Sequence, residues 1–274
     1  MVDRVVNRMG NLERPSSRIS DRSRDLLFIV LTCVSGTVDS LGFFGLGGIF
    51  ISALSGNTVV LAASIIQGES TTTMLGISVF VGYLSGASLA AFLFKRKANN
   101  NEMGWDTQVT YILGIELIVL VLLFAQSYFH RFDSYLNVES IIMVTTASFG
   151  MGIQFICARH VNRIGVITTM ITGTLSNAIY RIINREERYP SIIRKDMDNS
   201  SSLKGSNKSK TDAHKRTTIY LLTVWVGYFI GAAIMTLFLI NLPLYIATTL
   251  PLALMLFIFS YARLNQKSYQ KFEN

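Results

Sequence analysis

Charge is scarce in this 274-residue chain: Asp, Glu, Lys and Arg together make up 15% of it, where ordinary domains carry roughly 25%. That scarcity excludes disorder for most of the chain, because disordered segments are rich in charge and poor in apolar residues. Cysteine is nearly absent, with two residues. Cys33 and Cys157 both fall in long apolar runs, so they read as packing residues and supply no disulfide framework. Histidine numbers three, and His130, His160 and His214 share no metal-ligand spacing. There is no Walker loop, no nucleotide-binding glycine fingerprint and no nucleophile–base set. The glycine-rich turn at 45–48 lacks the lysine and the following helix of a phosphate loop. The chain therefore reads as a non-enzyme with no metal and no cofactor.

What is present is apolar, at 50% of residues, with a net charge of +8. The position of the charges matters more than their sum. Leu26 to Gly68 contains only Asp39, Met74 to Phe94 no charge, Thr107 to Phe129 only Glu116, and Thr217 to Ala262 none. Ser140 to Ala158 and Ile164 to Tyr180 are also free of charge. A bilayer core about 30 Å thick takes roughly 20 apolar residues as a helix, and eight apolar segments result: 26–44, 49–66, 74–94, 109–128, 140–158, 166–182, 217–240 and 244–262. A soluble helical core is excluded, because so many apolar runs leave almost no amphipathic helix to cover them. The first segment is too long and too internal for a cleavable signal peptide.

Two segments differ from the rest. Residues 49–66 and 166–182 are short, rich in hydroxyls and carry a mid-segment glycine, as in Ser55-Gly56-Asn57 and Thr172-Gly173-Thr174. Intramembrane Ser, Thr and Asn can satisfy freed backbone groups, so these segments read as broken or re-entrant. Charge supports this. With six spans and a cytosolic N-terminus, 24 of the 25 Lys and Arg lie inside and only Arg131 lies outside. Eight spans would leave 20 inside and 5 outside. The positive-inside rule favours six, and eight stay open because long loops are weak witnesses. The expected fold is thus all-α and polytopic, with about six transmembrane helices, two short broken or re-entrant segments and both termini cytosolic, in the plasma membrane or, as the alternative, an internal one. A tail at 1–25, a first membrane unit at 26–130, a second at 138–262 broken by a polar loop at 183–216, and a tail at 263–274 divide the chain.

The two membrane units look related. Gly82-Tyr83-Leu84-Ser85-Gly86-Ala87 recurs as Gly227-Tyr228-Phe229-Ile230-Gly231-Ala232. Upstream, Gly48-Ile49 and Ser55-Gly56-Asn57 align with Gly165-Val166 and Thr172-Gly173-Thr174. Three spans per unit is an odd number, which turns the second unit over and gives a 3+3 inverted repeat of the kind found in secondary transporters. Gly82, Gly86, Gly227 and Gly231 fit the small-x-x-x-small pattern of close helix packing.

Candidate pathway residues are the polar ones inside these runs. Asp39 and Glu116 are the acids within spans, and an acid at a helix centre is unfavourable by about 2.5–3.5 kcal/mol. Asp39, flanked by Gly36, Gly42 and the turn Gly45-Leu46-Gly47-Gly48, reads as a proton or cation site. Glu116, in an aliphatic helix, reads more readily as a neutral acid tying two helices together. Ser55 and Asn57 in the first unit, and Gln154, Thr172, Thr174 and Asn177 in the second, are candidate solute or ion contacts. The bland alternative for each is satisfaction of backbone in lipid.

The runs Ser35-Gly36-Thr37-Val38-Asp39-Ser40, Phe44-Gly45-Leu46-Gly47-Gly48-Ile49-Phe50 and Leu54-Ser55-Gly56-Asn57 resemble the YoaK-like family, domain of unknown function 1275. Its form is Thr-Gly-x-x-Asp, then Leu-Gly-x-x-Phe and Met-Thr-Gly-Asn. Ser35 and Leu54-Ser55 depart mildly from it. Gly150-Met151-Gly152-Ile153-Gln154 with Arg159, and Thr168-Thr169 with Thr172-Gly173-Thr174, are similar to a later block. The likeness covers about 26–262, and the 183–216 loop is longer than in bacterial members and more similar to a fungal one. The resemblance implies a multi-spanning membrane protein and no known activity.

The leading expectation is a secondary transporter or permease for an unidentified small solute. The competing one is a scaffold or regulatory protein acting through the basic 183–216 loop. That loop also carries the sequons Asn199-Ser200-Ser201 and Asn207-Lys208-Ser209, which stay unmodified in the cytosol. The lipid bilayer is the expected partner, nucleic acid is not, and self-association stays open.

Overall fold

The computed structural model describes residues 21–96, 105–129, 138–161, 173–176, 178–179 and 204–271. The principal elements are α1 (Asp21–Ser40), continued by a π-helical turn (Leu41–Gly45), α2 (Leu54–Gln67), α3 (Ser70–Arg96), α4 (Thr107–Phe129), α5 (Val138–Val161), α6 (Lys204–Asn241), α7 (Leu244–Ala247) and α8 (Thr249–Lys271). No strand occurs among the described residues. Six stretches are long and apolar enough to cross a membrane: Arg22–Gly45, Ser70–Lys95, Thr107–Phe129, Val138–Val161, Arg216–Asn241 and Leu244–Gln266. The 14 residues of α2 reach about 21 Å as a helix, short of the roughly 30 Å needed.

Large apolar side chains stay exposed along these helices, among them Leu84, Phe92, Ile118, Leu122, Phe229 and Leu237. A soluble surface rarely carries so continuous an apolar coat, whereas lipid accepts it. Hydroxyls inside the spans mostly bond back to carbonyls three or four residues earlier, as Thr32 to Phe28, Thr37 to Val34 and Thr145 to Ile141 do. That arrangement removes their polarity from the apolar surroundings.

Helix directions follow from the contacts. Gly82 and Gly86 of α3 lie against the Thr145 and Phe149 carbonyls of α5, so α3 and α5 run parallel. Gly227 and Gly231 of α6 lie against the Ile29 and Cys33 carbonyls of α1, so that pair is parallel too. α4 is antiparallel to α5, with Gln126 donating to Thr146 at one level and Val119 facing Gly150 at another. It is also antiparallel to α8: Gln266 donates to Thr110 (2.9 Å), Gly114 faces Phe259, and Ser127 bonds Thr248 (2.8 Å). α1 and α8 are antiparallel, from Ser23–Tyr261 to Gly45–Leu244. Hence α1, α4 and α6 point one way, and α3, α5 and α8 the other. Eight crossings would set α4 and α8 parallel, so the directions of the described helices agree with six.

This alternation means that α1 ends and α3 begins on the same side, and the segment between them does not cross. It turns back through Gly47 (φ 110°) and Gly48 (φ 78°), conformations that a side chain would disfavour. Ile49 and Ile51 then run beside Gly42, where a Cβ would meet the Ile49 carbonyl and the Ile51 side chain. From that depth α2 climbs along α3, with Ser64 bonding Thr73 (2.9 Å) and Leu61 packing on Gly76. Gly68 (φ 71°) caps α2 in the left-handed conformation.

The principal packing runs between residues 26–130 and 138–262: α1 on α6, α3 on α5, α4 on α5 and α8, and α8 on α1. A Cβ at Gly36 would strike the Tyr228 carbonyl, and one at Gly152 the Tyr83 carbonyl, so each Gly-Tyr motif presses on a glycine of the other unit. At such distances Cα–H groups meet carbonyls directly, and close packing takes the place of a hydrophobic drive that lipid does not supply.

Candidate functional site

Asp39 ends α1 and is 2% exposed. Its Oδ1 accepts the amide N–H groups of Ile51 (2.8 Å) and Ser52 (2.6 Å). Its Oδ2 accepts the Ser52 hydroxyl (2.6 Å) and the Tyr228 hydroxyl (2.7 Å). Both amide N–H groups fall on Oδ1 and both hydroxyls on Oδ2, so each oxygen of the carboxyl has two partners. Hydrogen bonds to a charged group are worth about 1.5–3 kcal/mol each, and they work against the cost of burying the carboxyl. Asp39 thereby ties three elements: the end of α1, the turned-back segment 49–53, and α6 at Tyr228.

A second tie lies one helical turn along the segment. Asn57 is buried and makes a two-way bond with Phe50. Its Oδ1 accepts the Phe50 N–H (3.0 Å), while its Nδ2 donates to the Phe50 carbonyl. These bonds satisfy backbone that has left helical geometry. Ser55, on the same helix, is exposed and takes no part in the cluster.

Gln154 of α5 is fully buried. Its Nε2 donates to the Leu31 carbonyl (2.9 Å) and to Ser35 Oγ (2.6 Å), which joins α5 to α1 one turn before Asp39. Thr174 is buried. Thr172 and Asn177 lie outside the described residues. Cys33 and Cys157 are free thiols. Gly82, Gly86, Gly227 and Gly231 sit at helix contacts, as described above.

Glu116 stands apart. It lies in mid-α4, fully buried, and neither oxygen has a hydrogen-bond partner among the described residues. Among the described residues it makes no hydrogen bond that ties α4 to a neighbour. Gly150 of α5 faces it, where a Cβ would stand 3.7 Å from Glu116 Cγ.

Sequence reasoning missed Ser52 and Tyr228. Ser52 lay in the short segment already singled out for its hydroxyls. Tyr228 lay in the repeated Gly-Tyr motif, where the glycines drew the attention and the shared tyrosine was the available signal.

Six apolar crossings and buried polar ties between them define an integral, multi-pass, all-helical membrane protein. The family described as "Protein of unknown function (DUF1275)" matches residues 27–261, and the chain belongs to that family. One relative is the UPF0700 transmembrane protein YoaK of Bacillus subtilis (strain 168), 29% identical over 162 residues, 59% of this chain and 68% of that protein. No solved structure matches.

Proposed function

We propose that this protein is a secondary transporter or permease for a small solute, built as two inverted repeats with both termini in the cytosol. The observation that carries the reading is the turned-back segment at 49–53, which leaves helical geometry between two candidate spanning helices and is held there by Asp39 and Asn57. Irregular backbone at membrane depth occurs where it is buried in protein or lines a pathway, and transporters place their binding sites at such breaks. The recurring Gly-Tyr motif, with each copy pressed on the other unit, fits two related halves that rock against one another. Inverted repeats supply that motion in known transporter architectures. The excess of Lys and Arg on one face sets the orientation, and the plasma membrane is the proposed location.

In this reading Asp39 holds the gate shut. Three of its four donors lie on the 49–53 segment and the fourth on α6, so α6 cannot move away from the segment without losing the Tyr228 bond. The test is reconstitution in liposomes with a mixture of amino acids, sugars, carboxylic acids, nucleobases and inorganic anions, followed by mass spectrometry of the trapped contents. At least one class should accumulate over protein-free liposomes, and Asp39→Asn should change its rate. Uptake unchanged in Asp39→Asn removes the residue from the mechanism. A scaffold working through the basic loop predicts no uptake at all, with its cellular effect lost on deletion of 185–212.

A further inference from the structure

Glu116 is the acid for which the packed arrangement provides nothing. The buried residues around its level on α4 are Leu113, Val119, Leu120 and Leu123, and its oxygens have no partner among the described residues. Across the helix contact, Gly150 brings α5 close without a side chain to cover the carboxyl. The ionisable groups on the elements packed against α4 include Cys157 of α5, Arg263 of α8 and Tyr245 of α7. Arg263 is engaged over the Tyr111 and Phe259 rings, and Tyr245 against Tyr128. Asp106, at the start of α4, caps the helix through the Val109 N–H (2.9 Å). None of these bonds Glu116.

A bare carboxylate in such surroundings is far too costly, so the group that fits here is the neutral acid. Even the neutral acid leaves a donor and acceptors unmet, which a dry helix contact does not normally tolerate. Gln126 Oε1 on α4, whose Nε2 donates to Thr146 of α5, is also without a partner among the described residues. An arrangement with α4 and α5 apart would let water satisfy both.

We propose that Glu116 is a proton-binding site in the membrane core. It carries its proton while α4 and α5 are packed, gives it to water when they part, and takes one back from the side then open. The ionised form belongs to the open arrangement, so proton release and helix separation are one event. Its service to solute coupling rests on the transporter reading; the proton exchange does not.

The experiment uses the full chain in lipid. Infrared difference spectra on raising the pH should show loss of a carboxylic-acid carbonyl band, absent in Glu116→Gln and retained at a shifted pH in Glu116→Asp. A hydrophobic carbodiimide, which adds to protonated carboxyls, should modify the α4 peptide at Glu116 with loss of labelling as the pH rises, and should spare Asp39. A band that no pH removes, with labelling that persists as the pH rises, overturns the proposal in favour of a fixed neutral acid; no band at any pH overturns it in favour of a permanent carboxylate. If Glu116 titrates and the solute mixture gives no flux, the transporter reading falls and the proton site stands. If flux is found but is indifferent to a pH gradient in both wild type and Glu116→Gln, coupling through Glu116 falls and transport stands.

Discussion

Two buried acids, Asp39 and Glu116, sit inside the spanning helices, and the protein surrounds them in opposite ways. Asp39 gathers four donors from a turned-back segment and from a helix 189 residues away in sequence. Glu116 is just as buried and has none among the described residues. Burial is the same in both cases, so burial alone does not tell what an intramembrane acid is for. What separates them is the supply of hydrogen-bond donors. A carboxylate caged by donors is a fixed point of the fold. A carboxyl without partners is unstable in one of its two charge states, and that imbalance suits a group that must change state.

The contrast can be broken by substitution. The largest effect belongs to Asp39→Ala, which leaves the Ile51 and Ser52 amides buried with no acceptor. Thermal unfolding in detergent should register a loss of about 3–5 kcal/mol, with hydrogen exchange accelerated over 49–54. Tyr228→Phe removes one bond to the charged oxygen and should cost about 1.5–3 kcal/mol. If the two variants are equally unstable, Asp39 is not caged by four donors. Asn57→Ala removes the two-way bond to Phe50, and a loss of about 1–2 kcal/mol is expected. Protease cutting near 50 would report it even where the melting temperature barely moves. The smallest effect, of opposite sign, belongs to Glu116→Met, which replaces an unmet polar group with an apolar one of similar length. It should raise stability by about 1 kcal/mol. A destabilised Glu116→Met would mean that Glu116 has a partner after all and would erase the contrast.

The crossings were legible because lipid excludes charge, and runs such as Met74 to Phe94 contain none. The short segment at 49–66 was legible for a related reason: Ser55, Gly56 and Asn57 are too polar for a plain span. Charge counting favoured six crossings, and the antiparallel setting of α4 and α8 among the described residues agrees with it. The bonding of the acids was not legible. Asp39 meets Tyr228 only because α1 packs on α6, and nothing local to either residue announces that pairing. Glu116 read as a tie between helices for the same reason in reverse, since the lack of a partner is a property of its neighbours. Gln154, placed in the sequence near the counterpart of Asp39, instead bonds Leu31 and Ser35 on α1 itself.

The crossed packing of α1 on α6 and α3 on α5 sets the order in which the protein can be made. α1 leaves the ribosome with the cleft beside Gly36 empty, and the helix that fills it is among the last to be synthesised. At roughly 5–20 residues per second the wait is on the order of 10–40 s. Throughout it, the first unit stands in the bilayer without its principal partners, exposed to insertion factors and to quality-control proteases. Neither unit made alone would mature, but the two expressed as separate chains should find each other, because the seam between them is the core of the molecule.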